Sequence, residues 1–227
     1  MSASSENRPA ARSRAEVATA ALALIDEEGL AGLSMRRLAQ RLGVGTMTLY
    51  GWFRSKDELL HAVVEVAADG PPPHVPEGDW RDALRAIARQ WRRSLERHPA
   101  LVELRLRRPI TTPAAFASTE AGLQALLAAG FDRAGAARAF RTLFVYVFGY
   151  AAFSDPELTP ELRARVDGAL AALPPGEFPV LSASREEMAA TLAGDEQFED
   201  GLEAILAGLA ARVERAPLTG RTRRSGG

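Results

Sequence analysis

The chain has 227 residues, 47% hydrophobic and 25% charged, which is room for one large or two modest domains and too apolar for a disordered protein. It contains no cysteine and three scattered histidines, which excludes disulfides, thiol catalysis and thiolate metal sites and argues against a histidine-built one. The net charge of −1 argues against a uniformly basic nucleic-acid binder, but between Gly29 and Lys56 stand Arg36, Arg37, Arg41, Arg54 and Lys56 with no acid among them.

Apolar residues recur at helical spacing nearly everywhere, and no stretch alternates with the period of a strand. Val17, Ala18, Ala21, Leu22 and Ile25 form a first stripe, ended by Gly29. Ser34 is placed to cap a short helix carrying Leu38, Ala39 and Leu42, which stops at Gly43. A third short helix is expected from about Gly45 to Phe53. Ser55 with Glu58 reads as a capping box opening a fourth, striped by Leu59, Leu60, Val63, Val64 and Ala67. Residues 69–78, DGPPPHVPEG, cannot continue a helix and make the best domain boundary. Further helices are expected over about 80–98, 113–129, 133–153, 160–172, 185–193 and 196–214, with Thr112-Pro113, Thr159-Pro160 and the pair Ser184 and Glu187 as start signals. Residues 174–183 read as a loop.

The expected fold is all-α. A helix-turn-helix head occupies 1–68, with a flexible arm over about 1–12, a linker over 69–78, a larger helical bundle over 79–216 and a disordered basic tail over 217–227. The longest apolar run, Leu143 to Phe153, is about half the ~20 residues of a membrane-spanning helix. The amino terminus lacks the apolar core of a secretory signal, so a soluble, cytoplasmic protein is expected.

The segment LSMRRLAQRLGVGTMTLYGWFRSKDELL, residues 33–60, carries the chemistry. Two short helices meet at Gly43, which suits a positive φ, and Ala39 is small where the helices cross. Leu38, Leu42, Leu49 and Phe53 are assigned to the core, which turns Thr46, Met47, Thr48, Tyr50 and Gly51 outward. Hydroxyls and methyl groups of that kind suit a DNA major groove, and Arg36, Tyr50 and Lys56 suit phosphates. An αα-hairpin that only packs would show a similar pattern without the acid-free stretch.

The run G-L-S-M-R-R-L-A-Q-R-L-G-V-x-x-x-T-L-Y-x-W-F-x-S-K-D-E-L-L closely resembles the amino-terminal domain of the tetracycline-repressor family, over about Val17 to Val64. The resemblance implies a dimeric bacterial transcriptional regulator, usually a repressor released by a small ligand, and not an enzyme. By position, it implies DNA contacts from Met35 and Arg36, reading or positioning by Thr46, Met47 and Thr48, and a grip on the backbone by Tyr50, Trp52 and Lys56. Gly51 stands where the family often has a larger residue, so one base is expected to go unread by a side chain.

The last helix resembles that of the subgroup nearest the tetracycline repressor. Its apolar stripe of Phe198, Leu202, Ile205, Leu206, Leu209 and Val213 runs beside a small-residue stripe of Gly201, Ala204, Gly208 and Ala211. Each interior glycine costs about 0.5–1 kcal/mol, so a close helix contact is expected to compensate. That contact is either intramolecular or a subunit seam. The resemblance favours a four-helix homodimer seam with Phe140, Phe144, Val147, Phe198, Gly201, Leu202, Ile205, Gly208 and Leu209 as its residues. The helix over 138–153 is apolar nearly all round and must be buried on more than one side. Phe144, Tyr146, Phe148, Tyr150 and Phe153, with Trp91, His98, Leu104, Arg105 and Phe116, are the candidates for a ligand pocket. In the tetracycline sensor a histidine and a glutamate hold magnesium; alignment on Arg108-Pro109 and Gly149 puts Leu104 and Phe153 there, and neither can coordinate a hard cation. No metal or cofactor is therefore expected, and the effector is expected to be apolar or aromatic. An activator or a ligand-independent regulator of the same family fits the sequence nearly as well. A scaffold without DNA, or a helical enzyme, fits less well, since no nucleophile–base constellation is present.

Overall fold

The computed structural model describes residues 13–67, 78–107, 112–153, 160–191 and 195–215. Among the described residues every regular element is a helix, and there are no strands. The helices are α1 (Arg14–Gly32), α2 (Met35–Leu42), α3 (Thr46–Trp52), α4 (Lys56–Ala67), α5 (Trp80–Arg97) and α6 (Ala100–Arg107), followed by α7 (Pro113–Ala128), α8 (Arg133–Phe153), α9 (Pro160–Ala171), α10 (Pro179–Ala183), α11 (Arg185–Ala190) and α12 (Asp195–Arg215). The arm 1–12, Thr159, the proline-rich stretch 69–77, Arg108-Pro109 and the tail 217–227 lie outside the described residues.

The local start and stop chemistry explains the boundaries. Ser13 and Glu16 form a reciprocal capping box at the start of α1, and Gly29 takes φ 74°, interrupting the helical geometry before its last turn. The Ser34 hydroxyl accepts the Arg37 N–H at 3.2 Å. Gly43 ends α2 at φ 66° and ψ 31°, a left-handed cap in which Val44 N–H donates to the Ala39 carbonyl at 3.0 Å. Thr112 is buried and its hydroxyl accepts the Ala115 N–H at 3.2 Å, opening α7.

Three expectations are corrected. Ser55 caps α4 by accepting the Glu58 N–H at 3.1 Å, but Glu58 turns its carboxylate to the Arg54 N–H and to Arg14, so the box is half formed. Ser184 makes no side-chain cap. Two short helices escaped the sequence pattern. Proline blocks the helix before it yet favours the first turn of a new one, so α6 begins straight after Pro99 and α10 begins on Pro179, inside the expected loop.

The described helices group into two compact units. The first joins α1–α4 to Gln90–Glu120. Its core comprises Val17, Ala18, Ala21, Leu22, Leu24 and Ile25 of α1, with Leu38, Ala39, Leu49, Phe53, Leu59, Leu60 and Val63. Residues 90–120 are held to this head by three contacts: Ser94 Oγ donates to the Ala67 carbonyl at 2.8 Å, His98 Nδ1 lies 2.9 Å from Asp26, and α6 buries Leu101 and Leu104 while packing on α1. The compact grouping thus divides the described helices within α5 and α7.

The second unit takes Trp80–Arg89 of α5, the rest of α7 from Ala121, and α8–α12. Leu84, Ile87, Leu126, Phe140, Leu143, Phe198, Leu202 and Leu206 form its core. Gly122 lets α7 approach the Phe140 ring so closely that an added methyl would overlap it. Arg85 holds Glu203 by two hydrogen bonds of 2.6 and 2.7 Å, and Arg89 reaches Glu199 at 2.7 Å, so two ion pairs tie α5 to α12. Arg85 also lowers the Glu203 pKa below the usual carboxylate range.

Candidate nucleic-acid interface

The face that α3 presents is set by what α3 buries. Leu49 and Phe53, four residues apart, are fully enclosed in the head core and hold the helix like two pegs. The opposite side of α3 must then face outward. Met47 is 81% exposed and Tyr50 44%, Thr48 and Gly51 are exposed, and Thr46 and Trp52 are half-buried. Seven residues at 1.5 Å rise make a helix of about 10 Å, a length that fits a major groove.

The expected site residues do not all reach that face. Met35 is buried, because it lies on the same side of α2 as Leu38 and Ala39 at i, i+3 and i+4. It belongs to the core, so its side chain is withdrawn as a DNA contact. Arg36 is exposed and among the described residues has no ion-pair partner. Lys56 is half-buried, and its Nζ donates to the Leu33 carbonyl at 2.6 Å, which fastens the start of α4 to the entry of α2.

The acid-free stretch is less bare in three dimensions than in sequence. Glu27 and Glu28, at the end of α1, reach across to it. Arg41 meets Glu27 in a two-bond fork of 2.5 Å each, and Arg37 pairs with Glu28. The Glu27 carboxyl is consequently held below the usual carboxylate range, chiefly by its hydrogen bonds from Arg41. These four residues brace α2 on α1, a role that the one-dimensional charge count concealed.

Arg14, just beyond the arm expected over 1–12, is the residue to which the sequence reading gives no role. One of its guanidinium nitrogens donates to the Trp52 carbonyl at the end of α3, and the other donates to Glu58 Oε1 at 2.8 Å. The guanidinium carbon lies 4.3 Å from the centre of the buried Phe53 ring. Glu58 is held below the usual carboxylate range, first by the Arg54 N–H and then by Arg14. A signal was available: S-x-x-E at residues 13–16 is a capping box, which puts Arg14 on an ordered first turn and not in a tail.

Gly51 has open space around it, with nothing within 4 Å of an added methyl, and its φ is not positive. Gly51→Ala should stabilise the head by about 0.5–1 kcal/mol, the ordinary helical difference between the two residues. Thermal melts of the two proteins check this, and a lower midpoint for the alanine variant would contradict the helical end of α3.

The other expected sites separate between the two units. Trp91, His98, Leu104, Arg105 and Phe116 fall in the first, and Phe144, Tyr146, Phe148, Tyr150 and Phe153 in the second. His98 is engaged by Asp26, Leu104 is buried, and Phe116 is 58% exposed. Phe153 is 95% exposed and is withdrawn as a pocket wall. Tyr146 finds its hydrogen-bond partner in the Phe198 carbonyl at 2.8 Å, and its ring and that of Tyr150 pack on Phe198 with centroids 5.5 and 5.2 Å away. Both tyrosines thus join α8 to α12. Phe144 and Phe148 are half-buried and stack at 4.3 Å.

Among the expected dimer residues, Phe140, Val147, Phe198, Leu202 and Leu209 are enclosed by the chain's own helices and are withdrawn as subunit contacts. Gly201 answers to the intramolecular reading, since the Tyr146 phenol occupies the space that a side chain there would need. Gly208 is exposed, with nothing of its own chain within 4 Å of an added methyl, and Phe144 and Ile205 are half-buried.

Residues 18–63 match the family described as bacterial regulatory proteins of the tetR family, and residues 72–213 match the tetracyclin repressor-like C-terminal domain. The chain is 33% identical over 213 residues to the HTH-type transcriptional repressor DrrR1 of Streptomyces coeruleorubidus, covering 87% of this chain and 77% of that one. It is 34% identical over 216 residues to the class A tetracycline repressor protein from transposon 1721 of Escherichia coli, covering 86% and 89%. Its fold is similar to that of the Streptomyces coelicolor TetR family protein ActR solved in complex with actinorhodin, with a TM-score of 0.76, 30% identity, and 90% and 99% coverage. These relatives regulate transcription and are not enzymes. An outward-facing recognition helix on a three-helix core, matched at both ends of the chain, places this protein in the tetracycline-repressor family as a transcriptional repressor with a DNA-binding helix-turn-helix head.

Proposed function

We propose that the chain acts as a homodimer on a pseudo-palindromic operator and is released from it by a small apolar or aromatic ligand. The observation that carries the DNA half is the face of α3: Leu49 and Phe53 are locked inside while Met47, Thr48 and Tyr50 stand outside. Thr46, Met47 and Thr48 read or position on base edges, and Arg36, Tyr50, Trp52 and Lys56 engage the backbone, Lys56 through donors not used on Leu33. Two heads then enter successive major grooves about one turn (~34 Å) apart. Gly208, Ile205 and Phe144 are the accessible remainder of the expected subunit seam, and an exposed mid-helix glycine with no neighbour of its own supports a close approach by a second copy.

The ligand half rests on ActR having been solved with actinorhodin and on the half-buried, stacked aromatic residues Phe144 and Phe148 of α8. Effector binding coupled to operator binding by about 1–3 kcal/mol would weaken the DNA complex roughly 5- to 150-fold, and operator would weaken effector binding equally. A magnesium–tetracycline chelate is not the effector, because Leu104 is an apolar buried residue and Phe153 an exposed one, and neither offers a ligand to magnesium.

The test is selection of the purified protein on random duplex DNA at near-physiological salt. An inverted repeat with half-sites one turn apart is expected, and the recovered duplex should stay bound when magnesium and tetracycline are added. Folded protein that enriches no sequence would overturn the DNA reading; release by magnesium–tetracycline would overturn the effector reading.

A further inference from the structure

We propose that Arg14 is a positioning residue for operator recognition, a clamp that sets the angle of α3 without itself touching DNA. The inference rests on the reading that α3 enters the operator, and it concerns what fixes α3 there.

The clamp joins three segments distant in sequence. Arg14 is the first residue of α1. Its guanidinium donates to the carbonyl of Trp52, the last residue of α3, which lies in the turn whose carbonyls lack partners inside the helix. Its second arm donates to Glu58 in the first turn of α4, at 2.8 Å. The other oxygen of Glu58 accepts the Arg54 N–H at 2.7 Å, so the whole connection from Trp52 to Glu58 is drawn onto one cation. The Phe53 ring packs against the same guanidinium. Directional donors to both a carbonyl and a carboxylate are a demand that guanidinium meets and a lysine ammonium meets poorly.

Helix propensity does not account for an arginine at this position. A cation in the first turn opposes the helix dipole, and Glu16, two residues on, is the residue that suits that end. The capping box of Ser13 and Glu16 holds the turn still, with the Ser13 N–H donating to Glu16 at 2.6 Å. Arg14 therefore starts from a fixed base and ends on the recognition helix. The side chain is 52% exposed, but both of its hydrogen-bonding arms are engaged by groups of its own chain, which distinguishes it from Arg36.

The experiment measures operator affinity and mixed-sequence duplex affinity over a salt series for Arg14→Ala, Arg14→Lys, Glu58→Gln and the double variant Arg14→Ala with Glu58→Gln. The operator is the inverted repeat recovered by selection. A positioning role predicts that Arg14→Ala and Arg14→Lys each weaken operator binding about tenfold, the scale of one charged hydrogen bond. Mixed-sequence binding and the salt slope should be unchanged, and the double variant should be no weaker than Arg14→Ala alone. A phosphate contact predicts the opposite pattern: Arg14→Lys binds like the parent, Arg14→Ala loses mixed-sequence affinity too, and the slope falls by about one. That pattern, or operator binding by all variants equal to the parent, overturns the proposal. If Arg14→Ala fails to fold, Glu58→Gln carries the test, and a parent-like operator affinity in it overturns the proposal. Failure of the parent protein to select any duplex would instead strike the DNA reading beneath it.

Discussion

Replacing Arg36 and Tyr50 together with alanine should lower operator affinity about 30-fold or more, since each side chain that contacts DNA contributes roughly 1–3 kcal/mol. The melting temperature should move by no more than a few degrees, because exposed positions away from caps and core usually change stability within about 0.5 kcal/mol. Both residues are outward-facing, and neither Arg36 nor the Tyr50 face of α3 is needed to hold the head together. The informative contrast is Arg41→Ala. Its guanidinium is spent on Glu27, so its loss should act through the α1–α2 brace and cost operator affinity much less than the Arg36 and Tyr50 pair. Fluorescence anisotropy on the selected operator, with melts in parallel, reads both quantities. Parent-like binding by the double variant would remove α3 and the start of α2 from the interface.

The second large effect concerns the other unit. Phe198→Ala should destabilise the protein by about 3–5 kcal/mol, the range for truncating an enclosed phenylalanine, and lower the melting temperature on the order of 10 °C. Phe198 is fully enclosed, receives the rings of Tyr146 and Tyr150, and offers its carbonyl to the Tyr146 hydroxyl. Truncation would open a cavity where α8 meets α12 and leave two aromatic rings without their shared wall. Had Phe198 been mainly a subunit contact, the same substitution would split dimers while leaving the melting of each protomer nearly unchanged. Calorimetry with sedimentation distinguishes the two outcomes.

Much of the head could be read directly from the residues. A left-handed Gly43, a capping Ser34, and Leu49 and Phe53 as buried pegs follow from local rules: φ sterics, hydroxyl reach and helical period. What escaped were features joining positions far apart in sequence. Arg14 lies 38 residues from Trp52 and 44 from Glu58. Glu27 and Glu28 fall just outside the acid-free window that made the stretch look bare, and the fold brings them back against it. Met35 was misassigned because position in a motif says where a backbone lies, whereas side-chain direction depends on which helix face the core claims.

The carboxy-terminal part was legible as helices and much less so as contacts. Period and proline punctuation marked α7, α8 and α12 nearly to the residue, since both act within one helix. Whether an aromatic stripe faces a neighbour helix, a ligand or a second subunit has no local signature. Tyr146 is satisfied by a main-chain carbonyl of α12, and Gly201 is small because Tyr146 sits on it; both facts require two helices at once. Sequence alone thus sufficed for the all-α class, the helix-turn-helix and its outward face, because those are set within a few turns of chain. The partner of each buried aromatic, the bracing of the arginines and the clamp on α3 emerged from the packing of distant segments, where burial and hydrogen-bond geometry select among contacts that the sequence leaves equivalent.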